Sequence, residues 1–129
     1  MLELASQYAG QKPVQLRSIA QRHGIPARFL VQILLQLKAA GLVKSTRGAA
    51  GGYRLARDPD QVTLKDVTQI LDGQPATITS KAENTTSIST TLIDLFNHFR
   101  LQQAKMLQTI TLAELMQRAE QDTNPMYYI

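Results

Sequence analysis

Apolar residues recur at three- and four-residue steps through most of this chain, and glycine or proline falls at the breaks between runs. Met1 to Ala9, with Leu2, Leu4, Ala5 and Ala9 apolar, predicts a short helix broken by Gly10-Gln11-Lys12-Pro13. Leu16, Ile19 and Ala20 predict a second helix, ended by Gly24. Pro26 suits the first turn of a third, whose apolar face is Phe29, Leu30, Ile33, Leu34 and Leu37 and which stops at Gly41. Ala20 is small enough for the third helix to approach the second, and Gly24 permits a left-handed turn between them. Leu30 and Ile33 then anchor the later helix on the earlier one, so the pair crosses steeply as a helix-turn-helix.

Two β-prone pieces follow, Leu42-Val43 and Tyr53-Arg54-Leu55, and between them runs Ser45-Thr46-Arg47-Gly48-Ala49-Ala50-Gly51-Gly52. This reads as a hairpin with a flexible, basic tip. Thr63-Leu64-Lys65-Asp66 resembles a capping box with Asp in place of Glu, and Val62 and Val67 suit its hydrophobic staple. The helix it opens carries Leu64, Val67, Ile70 and Leu71 and closes at Gly73. Residues 74–87 are polar, lack helical spacing and read as a loop with the composition of a disordered segment. From Ile88 to about Thr109 comes the longest helical pattern, with Ile88, Leu92, Leu95, Phe96, Phe99, Met106 and Ile110 apolar. Thr111-Leu112-Ala113-Glu114 has the residues of a full capping box and opens a last helix with Leu115 and Met116, before a tail with Asn124-Pro125.

The expected fold is mainly α with a small β-hairpin. A winged helix-turn-helix domain spans 1–73, a flexible loop 74–87, and a dimerisation helix with a C-terminal helix 88–129. At 129 residues the chain fits one domain, or one small domain plus an appendage. No apolar run approaches the ~20 residues of a membrane span, so no membrane partner is expected. Met1-Leu2-Glu3-Leu4 lacks the basic region and apolar core of a secretory signal, and the expected compartment is the cytoplasm.

Charge is unevenly distributed. Residues 1–60 hold nine basic side chains (Lys12, Arg17, Arg22, Arg28, Lys38, Lys44, Arg47, Arg54, Arg57) against three acidic ones (Glu3, Asp58, Asp60). Residues 61–129 hold five basic and seven acidic. The asymmetry fits an anion-binding module joined to an interaction module, or a solvated surface with chance imbalance.

Placed on the predicted elements, several residues suit duplex DNA. Arg28 and Gln32 lie one turn apart at the start of the third helix, where Arg pairs bidentately with guanine and Gln with adenine. Val31 lies between them and suits a thymine methyl. Arg17 and Ser18, early in the preceding helix, suit phosphates. At the hairpin, Arg47 suits a narrow minor groove, Lys44 and Arg54 the flanking phosphates, and Gly48, Gly51 and Gly52 a tip that lies flat on a nucleic-acid backbone. The alternative is plain: Arg28 and Gln32 are merely solvated, Val31 is core, and the tip is an ordinary glycine-rich turn. A phosphate loop is disfavoured, because no Gly-Lys-Ser/Thr ending precedes a helix.

No catalytic or metal site is expected, and no cofactor. Cysteine is absent, which removes disulfides, thiolate metal sites and cysteine nucleophiles. His23 and His98 lie on different helices, and His98 has only Asp94, four residues earlier, as a local partner. The seam of Ile88, Leu92, Leu95, Phe96, Phe99 and Met106 is costly to leave in water, and pairing with a second copy would cover it.

These residues also resemble a known family. Ser18-Ile-Ala-Gln-Arg-His-Gly-Ile25, Phe29-Leu30, Leu34, Leu37 and Ala40-Gly-Leu-Val43 carry the likeness. So do Ser45-Thr-Arg-Gly48, Gly51-Gly-Tyr-Arg-Leu-Ala-Arg57 and Ile110-Thr-Leu-Ala-Glu-Leu115. Together they are similar to the iron–sulfur cluster regulator family of bacteria (IscR, NsrR and CymR types, the Rrf-two family), from residue 1 to about 116 with 74–87 unmatched. The resemblance implies a dimeric winged-helix transcription regulator whose long C-terminal helix forms the dimer interface. It also puts Arg47 at the minor-groove position and Arg28 and Gln32 in the base-reading helix.

Three departures qualify that likeness. Cluster-binding members use three cysteines between the wing domain and the long helix; here there is none, and the position near Ile93 is not the histidine ligand. By the resemblance, the chain is expected to begin inside the family's first helix, about a dozen residues short, so no phosphate contact is carried over from that segment. Val31 stands where some members are polar, so their operator does not transfer. The resulting expectation is a DNA-binding repressor that occupies promoter DNA as a homodimer without an iron–sulfur cluster, its effector unspecified. The rival is a winged-helix protein-interaction module, or a regulator controlled by docking to a partner enzyme.

Overall fold

The computed structural model describes residues 1–73 and 76–123. Three helices come first: α1 (Leu2–Ser6), α2 (Leu16–His23) and α3 (Ala27–Ala39). Gly24 sits at φ +63° between α2 and α3, and the Ile25 N–H reaches back to the Ala20 carbonyl at 3.0 Å. That left-handed residue turns the chain within two positions, as the sequence implied. At the end of α3 the Leu42 N–H bonds to Leu37 O and the Gly41 N–H to Lys38 O, both at 3.0 Å. Leu37 and Leu42 are both buried, so this Schellman stop also locks the start of the hairpin onto the core.

The hairpin pairs β1 (Val43–Thr46) with β2 (Gly52–Leu55), in the register Val43–Leu55, Lys44–Arg54, Ser45–Tyr53 and Thr46–Gly52. A third piece, assigned to no element from the sequence, joins the hairpin. Val14 forms an antiparallel bridge to Tyr53 through two 2.8 Å backbone bonds. One residue is too short a strand to leave a period-2 signal.

A 3₁₀ turn (Pro59–Gln61) leads to α4 (Leu64–Asp72), whose Thr63/Asp66 capping box is complete. α5 (Ser87–Thr109) and α6 (Leu112–Thr123) follow. The starts of α4 and α6 are clipped together: Leu64 N–H to Ile110 O and Leu112 N–H to Val62 O are both 2.9 Å. Leu112 thereby enters the same core as Leu4, Ile19, Leu30, Leu34, Leu37, Leu42, Val43, Leu55 and Val62. The expected division at residue 88 grouped α6 with α5, whereas the packing groups α6 with the winged-helix body, against α1 and the 3₁₀ turn. α5 packs instead along α4.

Other expectations are corrected. α1 covers only Leu2–Ser6, not Met1 to Ala9, and buries Leu4 and Ala5 while Ala9 is exposed. Phe29, assigned to the apolar face of α3, is 57% exposed. Leu30, Leu34 and Leu37 point one way, and at ~100° per residue Phe29 lies well off their stripe. At Thr111 only half the capping box forms. The Glu114 N–H bonds to Thr111 Oγ1 at 3.1 Å, while the Glu114 carboxylate takes Arg118. Among the described residues no hydrogen bond or ion pair joins Asp94 to His98; His23 Nε2 meets Glu3 at 3.1 Å instead. Asn124-Pro125 lies outside the described residues.

Candidate nucleic-acid interface

α3 buries one stripe and turns the opposite one outward. Helical geometry sets Arg28, Gln32 and Leu35 opposite Leu30, Leu34 and Leu37, and all three are exposed. Val31, at the edge of this outer stripe, is exposed rather than core. Neither α2 nor α3 has a side-chain N-cap or an acidic residue in its first turn, whereas α4 and α5 close theirs with capping boxes. The first turns of α2 and α3 therefore keep the unpaired N–H groups and positive dipole ends that suit anions. Arg17 and Ser18 stand exposed in that first turn of α2.

The hairpin is tied to this pair of helices. Lys38 Nζ donates to Ser45 Oγ at 2.6 Å, and Gln15 Nε2 donates to the Ala49 carbonyl at 3.3 Å. These contacts fix the strand to the end of α3 and the loop to the start of α2. Lys44 and Arg54 face each other directly across the strands, a like-charge pair that is unfavourable in the absence of an anion. Arg47 and Gly48 are exposed at the start of the loop.

Gly51 and Gly52 are explained differently from the sequence expectation. Gly51 is buried, and a Cβ there would lie 2.1 Å from the Thr46 carbonyl oxygen. At Gly52, with φ +149°, a Cβ would lie 2.5 Å from the Val14 carbonyl oxygen. Both glycines answer to close approach within the protein, between the hairpin strands and against the Val14 bridge. A flat outer surface is not what demands them.

Among the described residues, the only basic side chain of residues 1–60 that forms an ion pair with a carboxylate, His23 aside, is Arg22, on Glu3. Asp58 accepts from the Asp60 N–H and caps the 3₁₀ turn. Arg17, Arg28, Lys44, Arg47 and Arg54 thus carry positive charge on α2, α3 and the hairpin with no carboxylate ion-paired to it among the described residues. An exposed Arg and Gln on one helix face, beside a cationic hairpin, have the donors to read base edges and hold phosphates.

The family described as Rrf2, iron-dependent transcriptional regulator, matches residues 1–118. The chain belongs to the Rrf2 family. Its fold is the winged helix-turn-helix of such regulators with a long C-terminal helix, and the family's members are transcription regulators, not enzymes. The HTH-type transcriptional regulator CymR of Bacillus subtilis is 45% identical over 73 residues, 57% of this chain and 52% of that protein. IscR of Sodalis glossinidius is 34% identical over 122 residues, 93% of this chain and 73% of that protein. The solved structure of CymR, titled the global cysteine regulator of B. subtilis, superposes with a TM-score of 0.76 at 34% identity. It covers 91% of this chain and 87% of that one. IscR of T. potens gives 0.77 at 33% identity over 98% and 87%.

The Rrf2 description implies iron, and the residues here do not fit a thiolate-held cluster. The chain has no cysteine. Among the described residues no group of three or more His, Cys, Asp or Glu side chains is close enough to hold a metal ion. The segment before α5 is held by amides instead. The Ile78 N–H donates to Asn97 Oδ1 at 3.0 Å, Asn97 Nδ2 donates to Ile78 O at 3.1 Å, and Arg100 donates to the Ala76 carbonyl.

α5 carries two stripes. Ile93, Asn97, Arg100, Ala104 and Leu107 are half-buried on the inner one. The other is the expected seam, and it is uncovered: Ile88 is 74% exposed and Phe99 54%, with Leu92, Leu95, Phe96 and Met106 also exposed. Phe96 and Phe99 meet edge to face, ring centroids 6.4 Å apart. Among the described residues no helix is long and apolar enough to cross a membrane.

Proposed function

We propose that this chain is a cytoplasmic repressor that occupies promoter DNA as a homodimer, without an iron–sulfur cluster. The observation that carries this reading is the set of cations shared by α2, α3 and the hairpin, exposed except for half-buried Arg54, that pair with no carboxylate among the described residues. In it Arg28 and Gln32 pair with guanine and adenine in the major groove, and Val31 meets a thymine methyl. Arg17 and Ser18 hold phosphates at the start of α2. Lys44 and Arg54 hold phosphates beside the wing, which relieves their mutual repulsion. Arg47 enters the minor groove, and Gly51 and Gly52 support it from behind by closing the hairpin. The seam of Ile88, Leu92, Leu95, Phe96, Phe99 and Met106 buries itself against a second copy, which repeats the reading head on a second half-site.

The test is salt. Affinity for a promoter fragment near the protein's own gene falls by roughly 0.9 log units per log unit of salt for each phosphate neutralised. A flat response, or no binding to such fragments, refutes the reading. The rival, a protein-docking winged helix, has one observation in its favour: α3 exposes Phe29, Val31 and Leu35.

A further inference from the structure

Of these, Leu35 lies on the same helix face as Arg28 and Gln32, with Val31 at its edge, and carries an inference of its own. Leu35 is 53% exposed, seven residues beyond Arg28 and therefore two turns along the same stripe. No part of the core needs it, because Leu30, Leu34 and Leu37 already fill the buried side. Val31 stands four residues before Leu35, so the two side chains adjoin. The composition of the helix narrows what this face can recognise. Ala27–Ala39 contains no Asp or Glu, so it has no carboxylate to accept from the cytosine amine. Arg28 supplies a guanine donor pair, Gln32 an adenine pair, and Val31 and Leu35 only methyl surface. In the major groove the exposed apolar group on a base edge is the thymine C5-methyl.

We propose that Leu35 is a base-reading residue that, with Val31, selects half-sites by thymine C5-methyl groups. The proposal rests on the DNA-binding reading above and adds the base class to it. At ~1.5 Å per residue Arg28 and Leu35 are about 10 Å apart along the helix, roughly three base-pair steps. The methyl contacts therefore fall on the side of the half-site away from the guanine that faces Arg28. Arg28 on the same stripe, and Lys44 on the strand that Lys38 ties to the end of α3 through Ser45, favour a polyanion over an apolar protein surface as the occupant of this face.

The experiment is selection of duplexes from a random library by the wild-type protein, followed by resynthesis of the enriched duplex with uracil for thymine. Uracil lacks only the methyl and leaves the protein untouched. Each lost contact lowers affinity about fourfold, so two contacts give about fifteenfold. Leu35→Ala, at an exposed position, keeps the fold and removes about a fourfold share of the preference for thymine over uracil, while the guanine preference stays. Equal wild-type affinity for the two duplexes, with salt-dependent binding intact, overturns the methyl contact and leaves the DNA reading standing. Failure to enrich any duplex overturns the DNA reading itself and hands this face to a protein partner.

Discussion

Gly52→Ala separates an internal need for the wing glycines from a need imposed by DNA. The substitution places a Cβ 2.5 Å from Val14 O, 2.6 Å from Val14 C and 3.0 Å from Gln15 N, all backbone atoms that cannot swing aside. It also asks alanine to hold φ +149°. Relief requires the Val14 strand to separate from β2, which breaks the two 2.8 Å bonds between Val14 and Tyr53. Each such bond contributes about 0.5–1.5 kcal/mol net. Backbone strain at a disallowed φ adds about 1–3 kcal/mol. The expected loss is therefore about 2–6 kcal/mol, a large part of the ~5–15 kcal/mol that holds an ordinary domain together. Urea unfolding measures it, with a midpoint lowered by about 2 M at an ordinary m-value of ~1–3 kcal/mol/M. Gly48→Ala is the control: φ is +104°, but no atom lies within 4 Å of the added methyl, so only strain of about 1–3 kcal/mol applies. If Gly52→Ala costs no more than Gly48→Ala, the close approach to Val14 is not what requires glycine.

Two further outcomes test the proposed assembly and the wing. Phe99→Asp puts a charge on the exposed seam of α5 and converts the dimer to monomer in sedimentation while helix content is unchanged; a persistent dimer would place the interface elsewhere. Arg47→Ala lowers affinity for sites flanked by A·T pairs by about 1–3 kcal/mol with the melting temperature unaltered, and unchanged binding removes Arg47 from the groove.

Where a residue's role is local, the sequence was enough. Gly24 between two apolar runs, Thr63 three residues before Asp66, and the seam from Ile88 to Met106 are each defined by near neighbours, and each stands in the structure where its pattern put it. Roles set by distant backbone were not legible. Val14 belongs to the sheet only because Tyr53, thirty-nine residues later, returns beside it. The same approach decides why Gly52 is glycine. Leu35 fell outside both sets: its angle from Leu30, Leu34 and Leu37 takes it off the buried stripe, and an apolar side chain beside Arg28 and Gln32 carries no polar group that marks a base contact. Phe29 was counted inward although its angle takes it off that stripe. Of the candidate site, the cations were legible because α2, α3 and the hairpin expose them, while Glu3, which neutralises Arg22, comes from a helix nineteen residues earlier.

The segment before α5 bears on what kind of switch this regulator can contain. By resemblance, cluster-binding relatives hold three cysteines there. Here an Asn97 side-chain amide pairs both ways with the Ile78 backbone, which reproduces one rung of a β-ladder, and Arg100 holds Ala76 beside it. Such bonds contribute about 0.5–1.5 kcal/mol each and involve no group that iron ligates through sulfur or that oxidation converts to a disulfide. Asn97 and Arg100 project from the inner stripe of α5, next to the exposed seam. The segment is thus coupled to the helix expected to carry dimerisation, by contacts that a change in iron supply does not address. On the same helix, uncovered apolar surface gives association a driving force of its own.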